Sequence, residues 1–347
     1  MKPSRSITFA TLSCWIFALA IVIAPRAVYA ATWQATAGTE RTDHGIQALA
    51  FLPNELWVHA GDSIEWTFPT PEIHTVTFLK QNTTPEQVRP TRPGVPGGGC
   101  PGTTPDGSSF DPKTCLTSPE IVAGTPTGNT YTVMFPTTGN FKLVCLVHNN
   151  MTGAVHVLAS SAPLPFDQAF YDKQAQKRQA ELLSDGAGLK GRGTATAQQS
   201  GGDAVTVGIG EIVATGGGSD TVSVMRFLQG SIVVRVGDTV EWTNLDPVTP
   251  HTVTFGAEPP GPPQPPSADV TLDPDGARHA MLASPPGSTH SGFLQAAFQD
   301  QTGLPQTPLG VTRFRVTFTK AGTFNYICVL HDDLGMLGQV IVHGKGS

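Results

Sequence analysis

Phe324-Asn-Tyr-Ile-Cys328-Val-Leu-His331-Asp-Asp-Leu-Gly-Met336 places a thiolate, an imidazole and a thioether on one short loop after a β-rich run. The same arrangement stands 183 residues earlier, as Phe141-Lys-Leu-Val-Cys145-Leu-Val-His148-Asn-Asn-Met151. A second histidine lies far upstream of each loop, in His74-Thr-Val-Thr-Phe78 and His251-Thr-Val-Thr-Phe255. Four chemically matched residues occurring twice in the same order mark an internal repeat.

The repeat reaches well outside these residues. Ile46 to Trp66 aligns with Val222 to Trp242 at a constant offset of 176, with Phe51, Gly61, Asp62, Glu65 and Trp66 all recurring. The offset becomes 177 at His74/His251 and 183 at Cys145/Cys328, so insertions fall between the matching blocks, where loops belong. Leu56-Trp-Val-His and Ile232-Val-Val-Arg-Val read as strands closed by Gly-Asp turns. Tyr131-Thr-Val-Met-Phe135 and Phe314-Arg-Val-Thr-Phe318 alternate with period two, which puts the aromatic and branched residues on one face. Gly153 to Val157 and Gly338 to Val342 supply a last strand to each unit. Short strands with this punctuation predict an all-β fold of two tandem antiparallel sandwiches.

The expected organisation is a signal peptide over 1–30, a first sandwich over 31–160, a linker over 161–202 and a second sandwich over 203–347. The linker begins with a helical stretch over 166–183, rich in Ala, Gln, Lys and Glu. Residues 187–202, rich in Gly, Ala, Thr and Gln, predict a flexible tether that would let the two units move. Long Pro/Gly-rich insertions occupy about 83–119 and 256–310.

Charged residues make up only 14% of the chain, against 38 glycines and 30 prolines, a composition that suits β-structure with many turns. Lys2 and Arg5 precede an apolar run over 14–24, and Val28-Tyr-Ala30 resembles a signal-peptidase site. The protein is therefore expected to be exported, to the periplasm or the extracellular space, with no membrane span left after signal cleavage. Loss of residues 1–30 takes the formal charge from −6 to −9. Such an acidic chain argues against nucleic acid and favours docking to basic proteins.

Once Cys14 leaves with the signal, four of five cysteines remain. Cys145 and Cys328 occupy matching contexts and read as metal ligands. Cys100 and Cys115 share one loop, and an oxidising compartment would let them pair as a disulfide. The alternative is two free thiols or a further metal site, which has no neighbouring histidine to support it.

Two histidines, one cysteine and a weak axial methionine form the ligand set of a blue-copper centre. His74, Cys145, His148 and Met151 would make one such set, and His251, Cys328, His331 and Met336 the other. The chain resembles the cupredoxins, in their plastocyanin/azurin branch, over most of both units outside the insertions and linker. Cys328, His331 and Met336 have the Cys-x-x-His-x-x-x-x-Met spacing of plastocyanin and pseudoazurin, and the tighter Cys145, His148 and Met151 loop is similar to that of amicyanin. The resemblance implies an eight-stranded Greek-key sandwich with one type 1 copper ion in each unit, two per chain. It further implies single-electron exchange with donor and acceptor redox proteins, with His148 and His331 as the exits. Thr75 and Thr252 stand where many relatives have asparagine, which alters the hydrogen bonding to the cysteine.

Other histidines lack the support of the repeat. His59 aligns with Arg235 and His156 with Ile341, while His44, His279 and His290 are expected in solvated loops. Trp66 and Trp242 are expected in the cores. An electron carrier needs no acid, base or nucleophile, so no enzyme activity is expected. Oxidases and nitrite reductases built from stacked cupredoxin units need a histidine beside the cysteine and His-x-His pairs. Here Cys145 lies between Val144 and Leu146, Cys328 between Ile327 and Val329, and no His-x-His pair occurs. Copper storage or delivery is a further alternative, and six methionines with ligands on strands fit it poorly.

Overall fold

The computed structural model describes residues 30–83, 100, 102–124, 128–199, 203–260, 265–295 and 311–344. All but the last residue of the expected signal peptide lies outside them, as do 84–99 and 296–310 within the two insertions.

The first unit is built from β1 (Thr32–Glu40), β2 (Ile46–Leu52), β3 (Glu55–His59), β4 (Ser63–Thr67), β5 (Thr77–Phe78), β6 (Ser108–Ser109), β7 (Leu116–Thr117), β8 (Thr130–Met134), β9 (Gly139–Val144) and β10 (Thr152–Leu158). One sheet runs β2-β1-β4-β8-β6 and the facing one joins β3, β10, β9, β5 and β7. β3 and β4 alternate buried and half-buried residues along their length, as strands with one covered face must. Trp66, Phe78, Phe135 and Tyr131 fill the space between the sheets.

A helix, α1 (Gln168–Gln199), follows. The second unit repeats the plan with β11 (Ala204–Ala214), β12 (Ser219–Leu228), β13 (Ser231–Arg235), β14 (Thr239–Leu245), β15 (Thr254–Phe255), β16 (Thr271–Leu272), β17 (Arg278–Leu282), β18 (Thr289–His290), β19 (Arg313–Phe318), β20 (Gly322–Ile327) and β21 (Leu337–His343). Its sheets run β16-β17-β19-β14-β11-β12 and β13-β21-β20-β15-β18. Trp242, Phe255, Phe314 and Tyr326 occupy the second core. Both repeat tryptophans are fully buried. The insertions are not wholly loops, because β7 pairs with β5, β17 runs parallel to β19 and β18 pairs with β15.

The two units do not hang on a tether. β12 pairs antiparallel with β2, Thr221 opposite Leu49 and Val224 opposite Ile46, so one sheet of each sandwich continues into the other. β2 is buried at every residue. Leu49 and Phe51 face the first core, while Ile46, Ala48, Ala50 and Leu52 face α1.

The helix also corrects the expected linker. It does not end near Gly186 but runs 32 residues through the stretch expected to be flexible. Asp167 caps it, accepting the amide of Phe170 at 2.9 Å. Gly186 and Gly193 are buried against the sheet: a Cβ at the first would meet Ile46 and Val222, and one at the second Leu228. These glycines let the helix axis approach the strands rather than loosening the chain. Arg178 on the helix donates to Asp220 of β12 at 2.7 Å, and Asn54 of the first unit donates to the same carboxylate at 3.2 Å.

Candidate metal centres

Strand pairing brings the distant residues of each set together. β5 pairs with β9, placing Thr77 opposite Val144, and β15 pairs with β20, placing Thr254 opposite Ile327. His74 is held by an isolated bridge to Ile121 and His251 by one to Leu294. The ligand atoms of His74, Cys145 and His148 all lie within 4.8 Å of one another, and those of His251, Cys328 and His331 do the same. All six residues are buried.

The convergence has a particular orientation. His148 Nδ1 lies 3.2 Å from His74 Nδ1 and 3.9 Å from Cys145 Sγ. In the second unit His331 Nδ1 is 3.1 Å from His251 Nδ1 and 3.5 Å from Cys328 Sγ. Ring nitrogens facing one another and a sulfur, away from water, offer three lone-pair atoms to one point, a donor set that suits a soft or borderline metal ion such as copper. Burial pushes both thiols up, but hydrogen bonds and charge from the paired histidines outweigh it and hold Cys145 and Cys328 well below the ordinary value. Both pairs of histidines thus shift their cysteine towards the thiolate, the form that binds metal.

Each sulfur is fixed by backbone amides. Thr75 N and His148 N lie 3.5 and 3.4 Å from Cys145 Sγ, and Thr252 N lies 3.3 Å from Cys328 Sγ. The threonines in place of asparagine also tie the ligand segments together. Thr75 Oγ1 accepts the amide of Leu146, and Thr252 Oγ1 that of Val329, both at 2.9 Å. Met151 and Met336 are fully buried, and each closes its loop by accepting the cysteine amide, at 3.0 and 3.1 Å. Cys100 and Cys115 form a disulfide with Cα atoms 5.0 Å apart, packed with Val144 and Leu146 on either side of Cys145.

The structure adds residues that the motifs did not disclose. β1 and β11 each carry a bulge, at Gly38 and Gly208, both with positive φ. A Cβ on Gly38 would collide with His74 Nε2, and one on Gly208 with His251 Nε2. The repeated runs Ala35-Thr-Ala-Gly38 and Val205-Thr-Val-Gly208 are the sequence signal for this pair. Asp246 Oδ2 stands 3.8 Å from His251 Nε2, whereas its counterpart in the first unit is Thr70.

Glu72 also departs from the repeat. Its Oε1 lies 3.1 Å from His148 Nε2 and its Oε2 lies 3.9 Å from His331 Nε2, so one carboxylate faces both downstream histidines. Burial opposes its ionisation, but the His148 bond and the charges of His331, His148 and His74 hold the carboxyl below the usual range. Val248 occupies the equivalent position in the second unit and packs into the first core. The expected exits therefore point inward, towards each other.

The remaining histidines take structural places. His156 stacks on Trp57 with centroids 4.5 Å apart, and His59 bonds to the Ala162 carbonyl at 2.8 Å. His44 is exposed beside Glu40, and His279 bonds to Thr317 at 2.8 Å. His290, expected to be solvated, is instead buried beside Thr254 at 2.7 Å, because β18 pairs with β15.

Residues 213–343 match the family model for copper binding proteins of the plastocyanin/azurin family. Among solved structures, the chain is similar to oxidised plastocyanin from Dryopteris crassirhizoma, at 18% identity over 40% of this chain and 99% of that one, with a TM-score of 0.21. It is also similar to an oxidised mutant of amicyanin, at 21% identity over 40% of this chain and 80% of the other, with a TM-score of 0.21.

Proposed function

From the match of residues 213–343 to the family model for copper binding proteins of the plastocyanin/azurin family, we propose an exported electron carrier with one type 1 copper in each sandwich. His74, Cys145 and His148, with Met151 as axial partner, would hold one ion. His251, Cys328 and His331, with Met336, would hold the other. The observation that carries this reading is the buried meeting of two Nδ1 atoms and one thiolate, present twice.

Copper supplies a single-electron couple; the chain's residues supply a fixed cage for it. A thiolate favours the reduced ion, imidazoles suit both oxidation states, and a long thioether contact helps set the potential. Thr75, Thr252 and the amides at each sulfur restrain the cage. A cage that does not rearrange when the charge changes keeps the barrier to transfer low. Burial keeps water from a coordination position, which supports a carrier over an oxygen- or nitrite-reducing enzyme. Donor and acceptor redox proteins would be the partners, and the acidic mature chain favours basic ones.

Copper storage or delivery is the competing class. A mild reductant separates the two. Reversible bleaching of the visible thiolate-to-copper band with copper retained after dialysis is the result expected of a carrier. Copper released on reduction would favour delivery.

A further inference from the structure

We propose that Glu72 couples the two candidate copper centres, so that an electron taken up at one is passed inside the chain to the other. The proposal rests on the two-copper reading above and adds the route between the sites.

The route follows from which ring nitrogen faces which way. In both triads Nδ1 points at the sulfur, which leaves Nε2 of His148 and of His331 on the outer side. An Nε2–H on a metal-bound imidazole needs an acceptor, and a carboxylate is the usual one. Here a single carboxylate meets both rings: His148 donates to Oε1 at 3.1 Å, and His331 lies at an ion-pair distance of 3.9 Å from Oε2. Glu72, His148 and His331 are 5%, 4% and 4% exposed, so water is excluded from the junction.

Hydrogen bonds tie the two units together around the junction. Arg226 donates to the carbonyl of Leu334 at 2.7 Å, on the second ligand loop, and to that of Asp43 in the first unit. Thr152, next to Met151, accepts the amide of Ser219 at 2.9 Å. Val248 fills the place where a second carboxylate would break the arrangement by like-charge repulsion.

The transfer balances without other reactants. With copper held by His74, Cys145 and His148 in one triad and by His251, Cys328 and His331 in the other, one electron would leave the reduced ion and reduce the oxidised one. No bond is made or broken: His148 Nε2 keeps its proton on Oε1 of Glu72, and the other carboxylate oxygen faces His331 Nε2 at 3.9 Å throughout. Asp246 beside His251, with Thr70 opposite it in the repeat, makes the centres unequal and gives the electron a preferred side.

The test uses the full copper-loaded chain carrying Met336→Gln, which changes one axial contact and so separates the two visible bands. A laser flash delivers less than one electron per chain, and the bands then report redistribution between centres. The expected result is a relaxation whose rate does not change with protein concentration. Adding Glu72→Gln, which leaves one accepting oxygen and a donor in place of the other, should slow that phase by about tenfold while both bands persist. It should also raise both midpoint potentials, because an anion favours the more highly charged ion. Redistribution that scales with concentration in the Glu72 parent overturns the proposal, whether or not the variant folds. A rate left within about twofold by Glu72→Gln does so too. Fewer than two coppers in the wild-type chain would contradict the two-copper reading itself. A third metal, lost with Glu72→Gln, would replace the bridge by a metal site.

Discussion

Gly208 and His251 are in contact across the second sandwich, the left-handed glycine of the β11 bulge lying where any side chain would overlap the imidazole. Gly38 and His74 repeat the relationship in the first sandwich. The bulge is thus a device that seats the upstream histidine against its cysteine.

Gly208→Ala should therefore displace His251 and abolish the visible band of the second centre while leaving that of the first. Gly38→Ala should do the reverse. The backbone cost of the positive φ alone is about 1–2 kcal/mol. Gly276→Ala is the control, since Gly276 also has positive φ but open space around it. It should cost similar stability in a denaturant titration and keep both bands.

Arg178 and Asp220 fasten the helix to the shared sheet. Burial raises the Asp220 carboxyl above its ordinary value, and the Arg178 bond and charge offset only part of that rise. Arg178→Ala leaves that carboxylate without its charged partner and should destabilise the protein by about 3–5 kcal/mol. Adding Asp220→Asn should recover most of the loss, which chemical denaturation of both variants would measure. A single cooperative transition is expected for wild type, because the units share a sheet.

Arg315 ties three carboxylates on the outer face of the second sandwich, Glu241 at 2.7 Å, Asp273 at 2.8 Å and Asp275 at 2.7 Å. Its hydrogen bond holds Asp273 below the ordinary value. A carboxyl depressed in the folded state contributes stability above its unfolded pKa of about 3.9 and loses it as pH falls through the folded value. Arg315→Met should therefore move the acid-unfolding midpoint to higher pH. High salt should narrow the difference from wild type, because the network is exposed and screened.

The two triads were legible because their chemistry is written in unlike residue types at fixed spacings, and because His74/His251 and Cys145/Cys328 recur. The sandwiches were legible in the alternation of strands such as Phe314 to Phe318. The first half of the helix is legible, but its continuation past Gly186 is not, because glycine lowers helix propensity while Gly186 and Gly193 serve packing against Ile46 and Leu228, which no local pattern announces. Glu72 was missed for the opposite reason. Its role depends on two histidines 76 and 259 residues away and has no counterpart in the repeat, where Val248 stands. The inward orientation of His148 and His331 follows from the β2–β12 pairing, and edge-to-edge pairing between units leaves no mark in either strand's own alternation.

Metal analysis of the mature protein, with its Cys145→Ser and Cys328→Ser variants, bears most directly on the two buried triads. Two coppers per chain are predicted for wild type, and one copper with one blue band for each variant. A stoichiometry that neither substitution changes would contradict the account.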